Sequence, residues 1–135
     1  MATDIDLLEQ WNSCGFYRLV GMTVERADEA GSEFTIQIDE RHLQAYGTAH
    51  GGILAGLIDA AMGLAILARV PGQRCATVEL KTNFLAPAMP GRLVGRGSVV
   101  RQGRTSVVAW AEAADANGDL VACGLGTFQL IGPPR

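Results

Sequence analysis

The sequence predicts an α+β fold in which an antiparallel sheet curves around one long, buried helix. Three observations carry this prediction. From Ile53 to Ala68 the chain is almost wholly apolar and holds a single ionisable residue, Asp59. A helix that is apolar all round must be buried all round. Strand-like segments stand before and after this run instead of alternating with further helices, which is the order of an α+β layer design. The last two turns, at Gly103 and at Asn117-Gly118-Asp119, suggest hairpins and so an antiparallel sheet.

Each element has its own signal. Asp4 to Cys14 reads as a short amphipathic helix with Ile5, Leu8 and Trp11 on one face. Leu19 to Arg26 and Ser32 to Ile38 read as two strands joined by a turn around Asp28 to Gly31. In the second, Phe34, Ile36 and Ile38 alternate with Thr35 and Gln37, the pattern of a half-buried strand. Asp39 to Ala49 is polar and irregular, and His42 falls there as a loop residue without a motif. The helix then runs from Gly51 to about Arg69 and is closed by Pro71-Gly72. Four strands follow: Arg74 to Leu85, Arg92 to Gln102, Thr105 to Ala114 and Leu120 to Leu130. The segment Pro87-Ala88-Met89-Pro90-Gly91 separates the first two. No repeat or linker divides the chain, so residues 1–135 form one domain, with an N-terminal helix over 1–14 and the central helix over 51–69.

Composition excludes several function classes. A chain of 135 residues, 48% hydrophobic and 19% charged, suits a single globular core. The formal net charge of −3 supplies no basic field for nucleic acid, although 11 Lys and Arg can still form a local patch for a phosphorylated ligand. Cys14, Cys75 and Cys123 are odd in number, lie in apolar segments and form no CxxC pair. That pattern fits reduced thiols, and no signal peptide follows Met1, so a cytoplasmic protein is expected. As a membrane span the apolar run falls short of the usual ~20 residues and carries an acid at its middle, so a core helix is the better account. There is no P-loop, no GxSxG and no Cys/His nucleophile pair. Two histidines and no clustered cysteines make a metal site an unfavoured expectation.

The start of the long helix points to chemistry. Gly51 and Gly52 let a ligand approach the backbone closely at a helix N-terminus, where free N–H groups and the helix dipole favour negative charge. Asp59, further along the same helix, is costly to desolvate unless something holds or uses it. An anion or oxyanion site with an acid on the same helix reads as an active site.

In their order, several motifs resemble the hotdog-fold acyl-CoA thioesterases of the phenylacetic-acid-degradation (PaaI-like) type. They are Gly47-Thr48-Ala49-His50-Gly51-Gly52, Asp59 nine residues after the histidine, Asn83-Phe84-Leu85-Ala86-Pro87, Arg101-Gln102-Gly103-Arg104-Thr105 and Gly118-Asp119-Leu120-Val121-Ala122. The resemblance covers roughly residues 15–130. It implies that Asp59 is the catalytic carboxylate, either a general base on water or a nucleophile forming an anhydride. It also implies that the Gly51 N–H stabilises the oxyanion. His50 either positions this loop near the carbonyl or caps the helix. Gln44, where the family often has Asn, would orient water or the carbonyl. Thr77 either helps hold the water or is an ordinary strand threonine.

The same resemblance implies a coenzyme A channel bordered by Gly52, by Phe84, Leu85 and the residues to Met89, and by Arg101, Gly103, Arg104 and Thr105. Arginines suit phosphate oxygens, against the plainer reading of a solvated turn. Lys81 and Arg92 are further phosphate candidates, and Trp11 and Phe16 either line the acyl pocket or belong to the core. The expected substrate is an aryl-CoA or medium-chain acyl-CoA. No separate cofactor is expected, since coenzyme A is part of the substrate.

Assembly follows from spacing once these roles are assigned. Asp59 lies eight residues beyond Gly51, or ~12 Å along an α-helix. One thioester carbon needs both groups within ~3–4 Å. A homodimer with two antiparallel central helices solves this, each helix giving Gly51 to one site and Asp59 to the other, and a tetramer of such dimers is expected. Two rival functions carry the same fold: a hotdog hydratase or dehydratase of enoyl or hydroxyacyl thioesters, and a non-catalytic acyl-CoA-binding module.

Overall fold

Residues 5–133 are described in a computed structural model of the chain. The elements run α1 (Ile5–Asn12), α2 (Gly15–Val20), β1 (Met22–Asp28), β2 (Gly31–Ile38), a 3-10 turn (Glu40–His42), α3 (Gly51–Arg69), β3 (Cys75–Phe84), β4 (Gly91–Gln102), β5 (Ser106–Ala114) and β6 (Leu120–Leu130). All six strands join one sheet in the order β1-β2-β4-β5-β6-β3, and every pairing is antiparallel. Register shifts in β1, β3 and β4 mark bulges, which bend a strand and increase its twist. The expected α+β arrangement of a curved antiparallel sheet around the long helix is what the chain adopts. By length and apolarity α3 could cross a membrane, yet most of it is buried inside this fold.

The sheet comes close to α3 because its inner face is made of small residues. Ser32, Gly97, Ala111 and Gly124 are register partners in a row across β2, β4, β5 and β6. The next rows add Gly95, Ala113 and Ala122 on one side, and Ala109 and Gly126 on the other. Into this shallow trough α3 sends Leu57, Ile58 and Met62, all fully buried. Gly97 marks the tightest point, since a Cβ there would lie 2.1 Å from the Ala61 carbonyl oxygen. That same oxygen accepts a 2.6 Å hydrogen bond from the buried Ser32 hydroxyl. Helix backbone and sheet backbone thus meet at one place, with no side chain between them.

Two expectations about the N-terminal half are corrected. The described part of the first helix is shorter than Asp4 to Cys14, and residue 4 lies outside the described residues. A second helix, α2, occupies Gly15–Val20, so Leu19 and Val20 are helical and β1 begins at Met22. The physical reason is Gly21, which adopts the left-handed conformation (φ 80°) and donates its N–H to the Tyr17 carbonyl, closing the helix. Tyr17 anchors α2 by packing edge-on against Phe34, with ring centroids 5.5 Å apart.

His42 is also no ordinary loop residue. It is buried, and its Nδ1 accepts the Asp39 N–H at 3.0 Å while Asp39 caps the 3-10 turn in return. Its Nε2 lies 2.6 Å from the Val20 carbonyl oxygen, to which it donates, because Nδ1 is the acceptor. The His42 carbonyl in turn accepts the His50 N–H at 2.7 Å. One buried residue therefore ties the end of α2 to the start of α3.

Substitution of Gly97 tests the close approach. Gly97→Ala is expected to lower unfolding stability by about 3 kcal/mol, the upper range for an overpacked core. Gly63→Ala, whose Cβ would meet nothing nearer than 3.7 Å, is expected to raise it by about 0.5–1 kcal/mol through helix propensity. Urea denaturation of the two variants checks both signs.

Candidate active site

His50 caps α3. Its backbone is extended, and its Nδ1 accepts the Gly52 N–H at 2.8 Å, the role Ser or Asp plays at other helix starts. Its carbonyl takes the Ile53 N–H at 3.0 Å. Among the described residues no protein acceptor meets the Gly51 N–H, so of the two glycines Gly51 is the one that presents a free donor. Gly52 is exposed, and a Cβ on it would lie 3.0 Å from His50 Nδ1. The Phe84 ring lies over Gly51, 3.1 Å from where a Cβ would stand, and screens the helix start.

Asp59 is half-exposed in the single chain, which corrects the expectation of an acid enclosed on every side. The reason is the composition of its face. Gly56 and Gly63 flank Asp59 one turn away on either side and leave it uncovered, although both count as apolar in the sequence. Thr77, on β3, donates from Oγ1 to Asp59 Oδ1 at 2.7 Å. No protein donor meets Oδ2 among the described residues. The acid is thus fixed through one oxygen and open at the other.

Two neighbours of Asp59 carried no sequence signal. Burial first, and the Asp59 charge second, push the Cys75 thiol up to about 11. Burial also raises the Tyr17 phenol, with the Cys14, Asp59 and Cys75 charges adding to it in that order. Both groups therefore stay neutral beside the carboxylate at neutral pH. They reach Asp59 from different elements, α2 and β3, and only packing on α3 brings them together.

Gln44 serves its own loop. Its Nε2 donates to Thr48 Oγ1 at 2.6 Å and its Oε1 accepts the Tyr46 N–H at 2.5 Å, while its backbone N–H reaches the Thr48 carbonyl. Phe84 and Leu85 are exposed at the Gly51 end of β3. Arg101 and Arg104 are exposed, and neither makes an ion pair among the described residues. Their turn is closed by the Gly103 N–H on the Ser106 carbonyl at 2.8 Å, and the Thr105 carbonyl accepts the Leu130 N–H at 2.8 Å. Lys81 and Arg92 are exposed as well. Trp11 is half-buried against Tyr17, and the exposed Phe16 ring approaches to 3.7 Å of the Cβ position of Gly56.

The chain separates these groups into two clusters. β3 runs antiparallel beside α3, with Phe84 at Gly51 and Thr77 at Asp59. The register Ser106–Gln129–Ala76 puts the arginine turn level with the start of β3, at the Asp59 end. Phe84 and Cys75 stand about 30 Å apart along an extended strand. Oxyanion donor and acid, and the two segments expected to border coenzyme A, are thus split in the same way. Among the described residues no three His, Cys, Asp or Glu side chains gather as a metal-binding group.

Comparison with known proteins identifies the family and the fold. Residues 46–122, more than half of the chain, match the family described as the thioesterase superfamily. A protein of Halobacterium salinarum named as a candidate esterase is 38% identical over 129 residues, covering 87% of this chain and 85% of its own length. Human acyl-coenzyme A thioesterase 13 is 31% identical over 97 residues, 70% of this chain and 69% of its own. The E. coli PaaI protein of the phenylacetic acid degradation operon shares the fold, with a TM-score of 0.86 at 23% identity over 93% of this chain and 90% of its own. A protein of Streptococcus pneumoniae named a hypothetical thioesterase and solved with coenzyme A superimposes with a TM-score of 0.78 at 26% identity, over 84% of this chain and 91% of its own. The chain belongs to the thioesterase superfamily, as a hotdog-fold thioester hydrolase.

Proposed function

We propose that this protein hydrolyses acyl-CoA thioesters to a free acid and coenzyme A at a site shared between two copies of the chain. The observation that carries this reading is the pair formed by an unpartnered Gly51 N–H and a Thr77-held Asp59 on one helix. They stand ~12 Å apart along it, too far for one carbonyl. Two α3 helices side by side and antiparallel bring Gly51 of one copy opposite Asp59 of the other. The acyl-CoA name of the human relative and the coenzyme A held by the pneumococcal structure support the substrate class.

The chemistry then needs only the groups described. The thioester carbonyl accepts the Gly51 N–H, where the helix dipole favours the oxyanion as it forms. Asp59 Oδ2 takes a proton from water as the water oxygen bonds to the carbonyl carbon. Thr77, donating to Oδ1, retains acceptor lone pairs that orient this water. Collapse of the tetrahedral intermediate breaks the C–S bond, and the thiolate of coenzyme A leaves with the proton returned through Asp59. No separate metal or redox cofactor enters this scheme. Phe84 and Leu85 from one copy, with Arg101 and Arg104 from the other, would border the coenzyme A moiety.

The surface supports pairing. β3 is an edge strand with Val78 62% exposed, and a second β3 along this edge about a two-fold axis sets the α3 helices antiparallel. On the outer face Trp110 and Leu125, register partners, are 38% and 45% exposed, and there two such dimers would meet as a tetramer.

Asp59→Asn is expected to fold normally and to lose kcat by at least ~10²-fold, read as thiol release from acyl-CoA esters. Wild-type turnover in that variant would remove Asp59 from the chemistry. A subunit-mixing experiment tests the shared site. Gly51→Pro deletes the donor N–H at the first helical position, where the backbone tolerates proline, and the exposed Phe84 ring must shift by a few tenths of an ångström to admit its Cβ. Each single variant is expected to be inactive. Co-refolded in equal amounts, half the dimers are mixed and hold one intact site of two, so about a quarter of wild-type activity should return. No recovery would place both groups in one chain's own site.

A further inference from the structure

Strand β3 ends the sheet, and its free edge is long, with seven of its ten residues exposed. Glu79 and Lys81 lie in its middle, both exposed, on either side of Leu80. Leu80 packs against the core, so its two neighbours point to the face of the sheet away from α3. Their register partners on β6 are the uncharged Thr127 and Leu125, and neither Glu79 nor Lys81 makes an ion pair among the described residues. A lone edge lysine, like the bulge at Val78, would blunt this edge against further strands. An acid two residues before that lysine, on the same face, makes the edge complementary to itself.

Geometry limits how two such edges can join. Opposite residues in an antiparallel ladder are either both hydrogen-bonded or both not, so a two-fold axis between identical strands passes through one residue and its own copy. Within the chain, Thr77 stands at Asp59 and Phe84 at Gly51. An axis that exchanges these two ends lies midway between them, at Leu80 or Lys81. Charge distinguishes the two. An axis at Lys81 sets that lysine against its own copy, and one at Glu79 would oppose two carboxylates. An axis at Leu80 sets Glu79 opposite the partner's Lys81, and Lys81 opposite the partner's Glu79. Cβ atoms at directly opposite positions lie ~4.5–5.5 Å apart, within reach of an ion pair.

We infer that the β3 edge takes a second copy of this chain in the register centred on Leu80, and that two Glu79–Lys81 ion pairs across the two-fold axis select that register. This rests on the shared site proposed above. Moving the axis by one residue slides one strand, and the helix packed on it, by two residues or ~6.6 Å past the other. That slide exceeds the ~3–4 Å within which an acid and an oxyanion donor must both reach one carbonyl, so two registers cannot serve the same reaction. The pairs therefore set the alignment of Gly51 with the partner's Asp59 as well as the choice of partner.

The test exchanges the charges. Dimer dissociation constants are measured by sedimentation for wild type, Glu79→Lys, Lys81→Glu, the double variant, and an equimolar mixture of the two single variants with a purification tag on one. Thiol release from acyl-CoA esters is read on the same samples. Each single variant sets two like-charge pairs across the axis, and its dissociation constant should rise about 10²-fold. The double variant should return to the wild-type value. In the mixture the lysines of one variant face the glutamates of the other, so mixed dimers should form in preference to either homodimer, which a misfolded variant could not do. Dimers that follow this pattern without thiol release support the register and refute hydrolysis. Thiol release from dimers indifferent to the charges overturns the register and leaves hydrolysis standing. A wild type that stays monomeric overturns the register and the shared site together.

Discussion

The contact between the Gly97 backbone and the Ala61 carbonyl is the constraint on which the rest of the structure depends. It holds α3 against the sheet without intervening side chains. Leu57, Ile58 and Met62 then supply the bulk of the core from the helix side, against glycines and alanines on the strands. Large helix residues against small sheet residues fix the rotation of α3 as well as its distance. With that rotation set, one face of α3 is left outside the core, and it carries Gly52, Gly56, Asp59, Gly63 and Leu67. The face that the proposed chemistry would use is defined by what the sheet does not cover.

The local chemistry at the two ends of this face differs for a simple reason. At the N-terminus the helix leaves N–H groups without intrahelical partners. The His50 ring satisfies the second of them and leaves the first. At Asp59 the reverse operation occurs: a strand hydroxyl saturates one carboxylate oxygen and leaves the other. Both ends are half-satisfied, one as a donor and one as an acceptor, which is how a preorganised site keeps a group available without leaving it loose. The buried His42, bonded to Asp39, Val20 and His50, keeps the donor end in place.

Much of the fold was legible because it rests on periodicity and turn residues. The apolar run of α3, the alternation in β2 and the turns at Gly103 and Asn117-Gly118-Asp119 appear where those signals stand. Helix α2 was not legible, since Phe16-Tyr17-Arg18-Leu19-Val20 is as good a strand as a helix and only the left-handed Gly21 decides. At the site, Gly51, Asp59 and their separation follow from the sequence. The half-exposure of Asp59 does not, because glycine carries no polar side chain to signal exposure and yet covers nothing. Tyr17 and Cys75 near Asp59 are products of tertiary packing, and no local pattern announces them. His42 had one readable sign, the Asp39-x-x-His42 spacing that the capping box uses.

Helix α1 has no fully buried residue among its eight, although it lines a cavity with the C-terminal end of α3 and the start of β3. Replacements at such positions disturb folding little, in the ordinary range for peripheral sites. Changes at Gly97, Ser32 or His42 would disturb it far more. The scaffold thus divides its mutational tolerance unevenly, strict where the helix is seated and lenient along α1. A lineage built this way can rewrite its first helix freely while inheriting the seat of its central helix unchanged.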